Sequence, residues 1–590
     1  MAAASAQRTG GRWRAGWLAG ALVAGVAGGA DAPAGPPATL VWANARVYTM
    51  DAAGSRASAI AFGRDQILAV GDAASVAPWI GRATRVVDMH GRMVLPGFID
   101  AHTHPVYGAG NALYCDLHSE NLAEPELVRA GKHCLAQLSS KREQGWMQVV
   151  GVSAIGVAID RHVVDRISER LPIVLWGEEG HTAWANTPAL AASGVTAATP
   201  DPVGGRIGRV TGGEPDGLFM DKAMDLIAAP ALPLDVVLPE VRKILAQMSA
   251  AGITAIQDAD AGEREIAAYA RLEREGALRQ RVRLAQHIEP VLDAQALARV
   301  LQVAARFQGD PLIRADAVKI FLDGTLEYPY QTAALIEPYL NADGTPTTRD
   351  GGSYYRKEDL DRVVAAVDHA GLGIHVHAIG DRAARDVIDA FEAAARQNGT
   401  RDMRHQIAHL ELIADADVLR MARDGVIANV QLFWAQPDVW AVEGTLPYIG
   451  AQRHAHLYRG RSLKDAGVPM AGGSDWPVST FEPLQAIQQG VTRGAFPGLT
   501  PANASRRMQV LNADERLDVE TMIALYTSQA ARALRLEQRT GSLEVGKRAD
   551  AVVLARDITQ IDPASIGRVP VVCTLFDGAV VHGKAADCGP

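Results

Sequence analysis

The chain has few cysteines: Cys115, Cys134, Cys573 and Cys588 are the four in 590 residues, and no Cys-x-x-Cys unit occurs. That spacing argues against a structural zinc site. Local pairs, Cys115 with Cys134 and Cys573 with Cys588, suit an oxidising compartment, although four cysteines allow three connectivities and four free thiols are the other reading. There is also no basic surplus. Charged residues make up 21% and the net charge is -9, so no broad positive surface is offered to a phosphate backbone and nucleic acid is not an expected partner. The chain lacks a Gly-x-Ser-x-Gly elbow, which removes the usual serine-hydrolase design. "GRIGRVTGG" is glycine-rich but lacks the Gly-x-Gly-x-x-Gly spacing and the strand-to-helix setting of a dinucleotide site.

Long apolar runs are absent after the N-terminus, so the mature chain has no expected membrane span. At the N-terminus, Arg8, Arg12 and Arg14 precede an apolar stretch over residues 15–30, and Ala30-Asp31-Ala32 gives a small-x-small pattern. This resembles a secretory signal peptide over 1–32, followed by a linker at 33–38. The stretch holds five glycines and is shorter than the roughly 20 residues a bilayer needs, which disfavours an anchor. The expected location is the bacterial periplasm.

With 48% hydrophobic residues, there is room for a barrel of about 250 residues and additional lobes. Residues 39–94 read as short alternating strands and turns, and residues 536–590 read likewise. Between them, β-rich apolar runs alternate with helical stretches such as "RKEDLDRVVAAVDHAG". The pattern predicts an α/β fold: a (β/α)8 TIM-like barrel over 95–480, last barrel helices over 481–535, and a small β-sandwich-like domain built from both terminal regions. Eight runs are candidate barrel strands: "GFIDAHTH", "GITAIQD", "RVRLAQH", "AVKIFLDG", "GIHVHA", "HQIAHL", "VIANVQ" and "PMAGGSD". The gap between the first two is too long for one crossover, so 105–250 is expected to contain an inserted lobe.

Catalytic groups of such a barrel sit at the C-terminal ends of its strands. There the sequence places His102 and His104, Lys319, His377, His409 and Asp475. His102 and His104 are two apart, so a strand projects both from one face. Imidazoles with a carboxylate suit a borderline divalent metal such as zinc. His375 shares a face with His377, so periodicity does not separate them.

"LPGFIDAHTHP", "VKIFLDGTLE", "HVHAIGDRA", "HQIAHLELI", "GGSDWPVSTFEPL" and "GSLEVGKRADAVVL" resemble the metal-dependent amidohydrolase superfamily, and within it the YtcJ-like group that includes N-substituted formamide deformylases. The likeness runs from about residue 40 to 583. It implies that His102, His104 and Asp475 bind one metal and that His377 and His409 bind a second, two zinc ions per chain with manganese or iron as alternatives. Lys319 matches a position where relatives carry a carboxylated lysine bridging two metals; an unmodified lysine paired with an acid such as Asp323, beside a single metal, is the other reading. The family pattern selects His377 and His409 over His375 and His405, which are left to supporting or core roles.

The resemblance implies hydrolysis of an amide, N-acyl or N-formyl bond by metal-bound hydroxide, with Asp475 as general acid and base. "GHTAWANTPAL" resembles a segment near the site in this group, making His181 a candidate to hold a carbonyl or oxyanion, with Trp184 and Asn186 nearby. Tyr330, Trp434 and Trp476 follow strand ends and are candidate substrate contacts. The expected partner is a small-molecule substrate; self-association into a homo-oligomer is left open. Two other readings remain: an esterase or lactonase using the same site, and a periplasmic binding protein without catalysis, for which a retained Asp475 has no use.

Overall fold

Apolar runs that end on polar residues become an eight-stranded parallel sheet. The computed structural model describes residues 35–118, 122–137, 145–155, 157–290, 293–496, 506 and 509–588. The expected leader at 1–32 lies outside them. The barrel strands are β1 (Phe98–Thr103), β2 (Ile253–Ala261), β3 (Arg281–His287), β4 (Ile313–Phe321), β5 (Gly373–Ala378), β6 (Gln406–His409), β7 (Ile427–Val430) and β8 (Met470–Gly472). Each pairs in parallel with the next in chain order. All eight candidate runs form these strands.

Closure of the ring comes just beyond β1 and β8. The Asp475 amide donates to the His102 carbonyl at 2.7 Å, and the His104 amide to the Trp476 carbonyl at 2.9 Å. Lower down, the Ile99 amide donates to Tyr526, between two C-terminal helices, at 2.8 Å. The outer helices are amphipathic, as their sequence period requires: Lys357–His369 buries Leu360, Val363, Val364 and Val367 on one stripe. The sheet with these helices is a TIM-like barrel.

Between β1 and β2 the chain builds a separate six-stranded sheet from Cys115–Asp116, Met147–Val152, Ile173–Gly177, Thr182–Ala185, Gly205–Arg209 and Pro215–Asp221. Ile173–Gly177 and Thr182–Ala185 form a hairpin, whose tip is residues 178–181. A Cys115–Cys134 disulfide ties the sheet's edge to helix Glu124–Gln137.

The two ends of the chain meet in a β-sandwich. Met93–Pro96 pairs antiparallel with Ala551–Leu554, and this sheet packs on a second one through Trp42, Phe62, Val553 and Leu575. Cys573 and Cys588 are disulfide-bonded there, 15 residues apart. Gly97 alone separates this sheet from β1, and a Cβ there would lie 2.3 Å from Thr254, so the transition from sandwich to barrel has no space for a side chain. Among the described residues no helix is long and apolar enough to cross a membrane.

One ion cluster joins barrel and sandwich. Arg281 on β3 is 1% exposed, bonds Asp550 at 3.1 Å and also bonds Asp577. Removing one side of a buried pair strands the other charge, at a cost of about 3–5 kcal/mol. Arg281→Met should therefore lower stability by that order in denaturant unfolding, and adding Asp550→Asn should recover part of the loss. A loss under about 1 kcal/mol, the size of a surface pair, would show that the cluster does not hold the two parts together.

Candidate metal centre

The ends of β1, β5 and β6 and the loop after β8 converge on one point. His102 Nε2 lies 3.2 Å and His104 Nε2 3.0 Å from Asp475 Oδ1. The close approach depends on Gly473, where a Cβ would sit 2.5 Å from the His102 Cβ. Asp475 and His409 have φ of 55° and 75°, a left-handed conformation that costs a non-glycine residue on the order of 1–3 kcal/mol. Surrounding bonds hold it: Asp475 through its amide to His102, and His409 through its amide to Gln431 Oε1 at 3.1 Å.

Below this layer the barrel is filled with amides. Gln257 Nε2 donates to the Ala101 carbonyl at 3.1 Å and to His375 Nδ1 at 3.0 Å, and His375 Nε2 meets His102 Nδ1 at 2.9 Å. Gln431 Nε2 donates to Asn429 Oδ1 at 3.0 Å, and Asn429 Nδ2 to Ala101 at 2.9 Å. His375 and His377 do project from the same face, but at different depths. His375 supports His102 from beneath, whereas the His377 ring is 4.5 Å from that of His409. His405 lies at the start of β6, stacked on Phe391 and 3.3 Å from Asp368.

The donor set fits a divalent ion. His102 Nε2 and both ring nitrogens of His409 are buried without a hydrogen-bond partner, which is costly in an apo chain and natural for ligands. Ligand atoms of His102, His409 and Asp475 lie within 4.8 Å of one another. Burial, then neighbouring positive charge, holds His102, His377 and His409 well below the ordinary histidine range, so each is the neutral imidazole that ligation needs. Burial opposes ionisation of Asp475, yet the hydrogen bond and charge of His104 hold its carboxyl at about 2.

Lys319 is 1% exposed, with Nζ 4.5 Å from the Phe321 ring centroid. Burial brings its amine down to about 8 despite nearby Asp260, Asp475 and Asp258. The alternative pairing with Asp323 is not what forms. Asp323 instead accepts the amides of Gly380 at 2.8 Å and of Ile379 and Ala334 at 3.0 Å, and its Oδ1 sits 3.3 Å from His377 Nδ1. It is a support for His377.

His181 reaches the site from the tip of the inserted hairpin. Its Nδ1 meets Asp221 Oδ1 at 2.8 Å and its ring is 4.9 Å from that of His377. Burial lowers its affinity for a proton, but the Asp221 bond and charge outweigh this and raise its pKa. Asp221, invisible to motif reading, closes the strand that pairs with the hairpin and has φ of 53°.

A cavity of about 530 Å³ opens over His181, His377, His409 and Asp475, with Trp434 and Trp476 in its wall. An adjoining one of about 630 Å³ reaches His102, His104 and Lys319. Trp434 stacks on His409, centroids 5.4 Å apart and planes 6° from parallel. Three expected substrate contacts do not line these cavities. Trp184 is 2% exposed in the lobe core, Tyr330 packs beside it at 6.4 Å, and Asn186 is fully buried. The Asn186 amide is spent on Ile173, Ala189, Ser168 and Leu171, so it caps helix Thr187–Ser193 and cannot meet a ligand.

The family model described as "Amidohydrolase family" matches residues 85–582. The N-substituted formamide deformylase of Arthrobacter pascens is 26% identical over 92% of this chain and 98% of its own length. The Bacillus subtilis (strain 168) protein YtcJ is 28% identical over 92% of this chain and 99% of its own. A metal-dependent hydrolase of Pyrococcus horikoshii OT3 superposes with a TM-score of 0.67 at 21% identity, covering 89% of this chain and 99% of that one, which speaks for the fold. With most of its length matched, this chain belongs to the amidohydrolase family, hydrolases acting on carbon-nitrogen bonds.

Proposed function

We propose that the protein is an exported hydrolase that cleaves an amide, N-acyl or N-formyl bond of a small molecule with the help of divalent metal. The observation that carries this is the group of partnerless buried imidazole nitrogens facing Asp475 at the floor of a cavity. His102, His104 and Asp475 would hold one ion, and His377, His409 and a carboxylated Lys319 a second. Zinc, or manganese or iron in its place, supplies Lewis acidity: it brings the pKa of water from about 15.7 toward 7 and polarises a carbonyl oxygen.

The chain's own groups do the rest. Asp475 is ionised at neutral pH and stands where the water proton must go, so it accepts that proton and returns it to the leaving nitrogen. His181, oriented by Asp221 and biased toward its protonated form, offers a donor to the carbonyl oxygen as negative charge grows there. The indoles of Trp434 and Trp476 form apolar wall beside these groups, which strengthens every charge interaction inside. Lys319, brought to about 8 by burial, has an accessible neutral amine, the form that combines with carbon dioxide. Export is supported by the N-terminal pattern and by two disulfides, which persist in oxidising compartments.

Four substitutions separate these roles. Asp475→Asn should lower kcat on N-acyl amides by about 10²–10⁴-fold, the range for a lost general acid-base, with an unchanged circular dichroism spectrum; near-normal kcat removes the proton-transfer role. Lys319→Ala should lose metal, measured by elemental analysis, together with activity, and added formate or acetate should restore part of both. Unchanged metal content counts against a bridging carbamate. Asp221→Asn should mimic His181→Ala, each lowering kcat about 10–10³-fold through the lost oxyanion donor, and the double variant should be no worse than His181→Ala; additive losses would show that Asp221 does not act through His181.

A further inference from the structure

The wall of the cavity is strongly acidic. Six carboxyl side chains line the cavity, Asp475 among them, and among the described lining residues there is no lysine or arginine. Many carboxyl groups in folded proteins find a cation; here two deeply buried ones do not. Glu327 is 9% exposed and has no ion pair, and Glu411 is 3% exposed with a hydrogen bond from the Tyr458 hydroxyl. The guanidinium whose charge reaches Asp438, that of Arg506, is already bonded to Glu443 and to the Pro437 carbonyl. Burial raises Glu327 to about 7, with repulsion from Asp438 and Glu179 adding to it and backbone amides opposing it, and burial raises Asp438 to about 6 against the amides of Ala441 and Trp440 and the Arg506 charge. A set of acids held together without a cation pays for its placement in stability, and a bound cation relieves it.

The chemistry of that cation follows from how the acids are spread. Among the described residues only His102, His409 and Asp475 bring ligand atoms within 4.8 Å of one another, so the glutamates do not form a compact cage for a metal ion. Aromatic faces stand beside them: Trp434 and Trp440 line the same cavity. Carboxylates and indoles lining one cavity suit a bulky organic cation, which attracts both the charges and the ring faces.

We infer that the site prefers substrates whose tail, remote from the bond that is cut, carries an ammonium or other organic cation, held by Glu327 and Glu411 against Trp434 and Trp440. This rests on the hydrolase reading above and adds its substrate class. Nothing in the His102, His104 and Asp475 group requires it.

The test uses the full metal-loaded protein and two N-formyl amides that differ only in a trimethylammonium or a tert-butyl tail. The cationic substrate should have kcat/KM higher by about 30-fold or more, mainly through KM, and Glu327→Gln or Glu411→Gln should each cut that ratio by about tenfold, the loss of one charged contact. Equal values for the two substrates overturn the inference while leaving the hydrolase reading in place. If neither is cleaved, the hydrolase reading fails, and calorimetry with benzyltrimethylammonium chloride against neutral neopentylbenzene still decides: tighter binding of the cation, weakened by Glu327→Gln, upholds the acidic subsite, and equal or no binding overturns it.

Discussion

One backbone hydrogen bond, from the Asp475 amide to the His102 carbonyl at 2.7 Å, sets the terms for the rest of the site. A parallel barrel must join its first strand to its last, and here the junction falls where β1 ends on histidines and the loop after β8 carries an aspartate. Closure and donor convergence are therefore the same event. It needs a glycine at 473 and a left-handed backbone at Asp475, and both serve to lay the carboxylate over the imidazoles. A shift in the β1 to β8 register would move the donors apart as surely as deleting one.

Rigidity comes from the polar filling beneath. Barrel interiors are often layers of branched apolar side chains; this one carries Gln257, His375, Gln406 and Asn429, all nearly or fully buried. Each amide reports to a barrel carbonyl or to a neighbouring side chain, so the filling acts as a scaffold with directional bonds. In a low-dielectric setting a satisfied network of this kind fixes one arrangement, because every alternative leaves a polar atom unpaired. That is how His102 and His409 keep nitrogens pointed at one place.

Much of this was legible in the chain. Each of the eight strands carries a polar residue at, near or just beyond its C-terminal end, and the period of two on "DAHTH" and "HVH" fixes which side chains share a face. Depth was not legible: His375 and His377 have the same facing and differ by one strand repeat along the barrel axis. Asn186 and Trp184 misled because proximity in sequence to His181 says little about proximity in space. The hairpin carries His181 outward at its tip and turns the next residues back into the lobe core. Asp221, Glu327 and Glu411 gave no signal, since they lie at strand ends or in loops where no periodicity marks a facing.

The disposition of charge across the site is not accidental detail. Neutral imidazoles and one ionised carboxylate gather where an ion would sit, and further acids whose hold on a proton burial strengthens line the same cavity. A metal ion placed among the imidazoles is countered by Asp475 directly. The remaining acids are too far dispersed to coordinate it, so they act only through the field. In their ionised forms these acids attract cations and disfavour the approach of anions. The same walls thus bear on which ligand enters, through the field at a distance and through contact once it is inside.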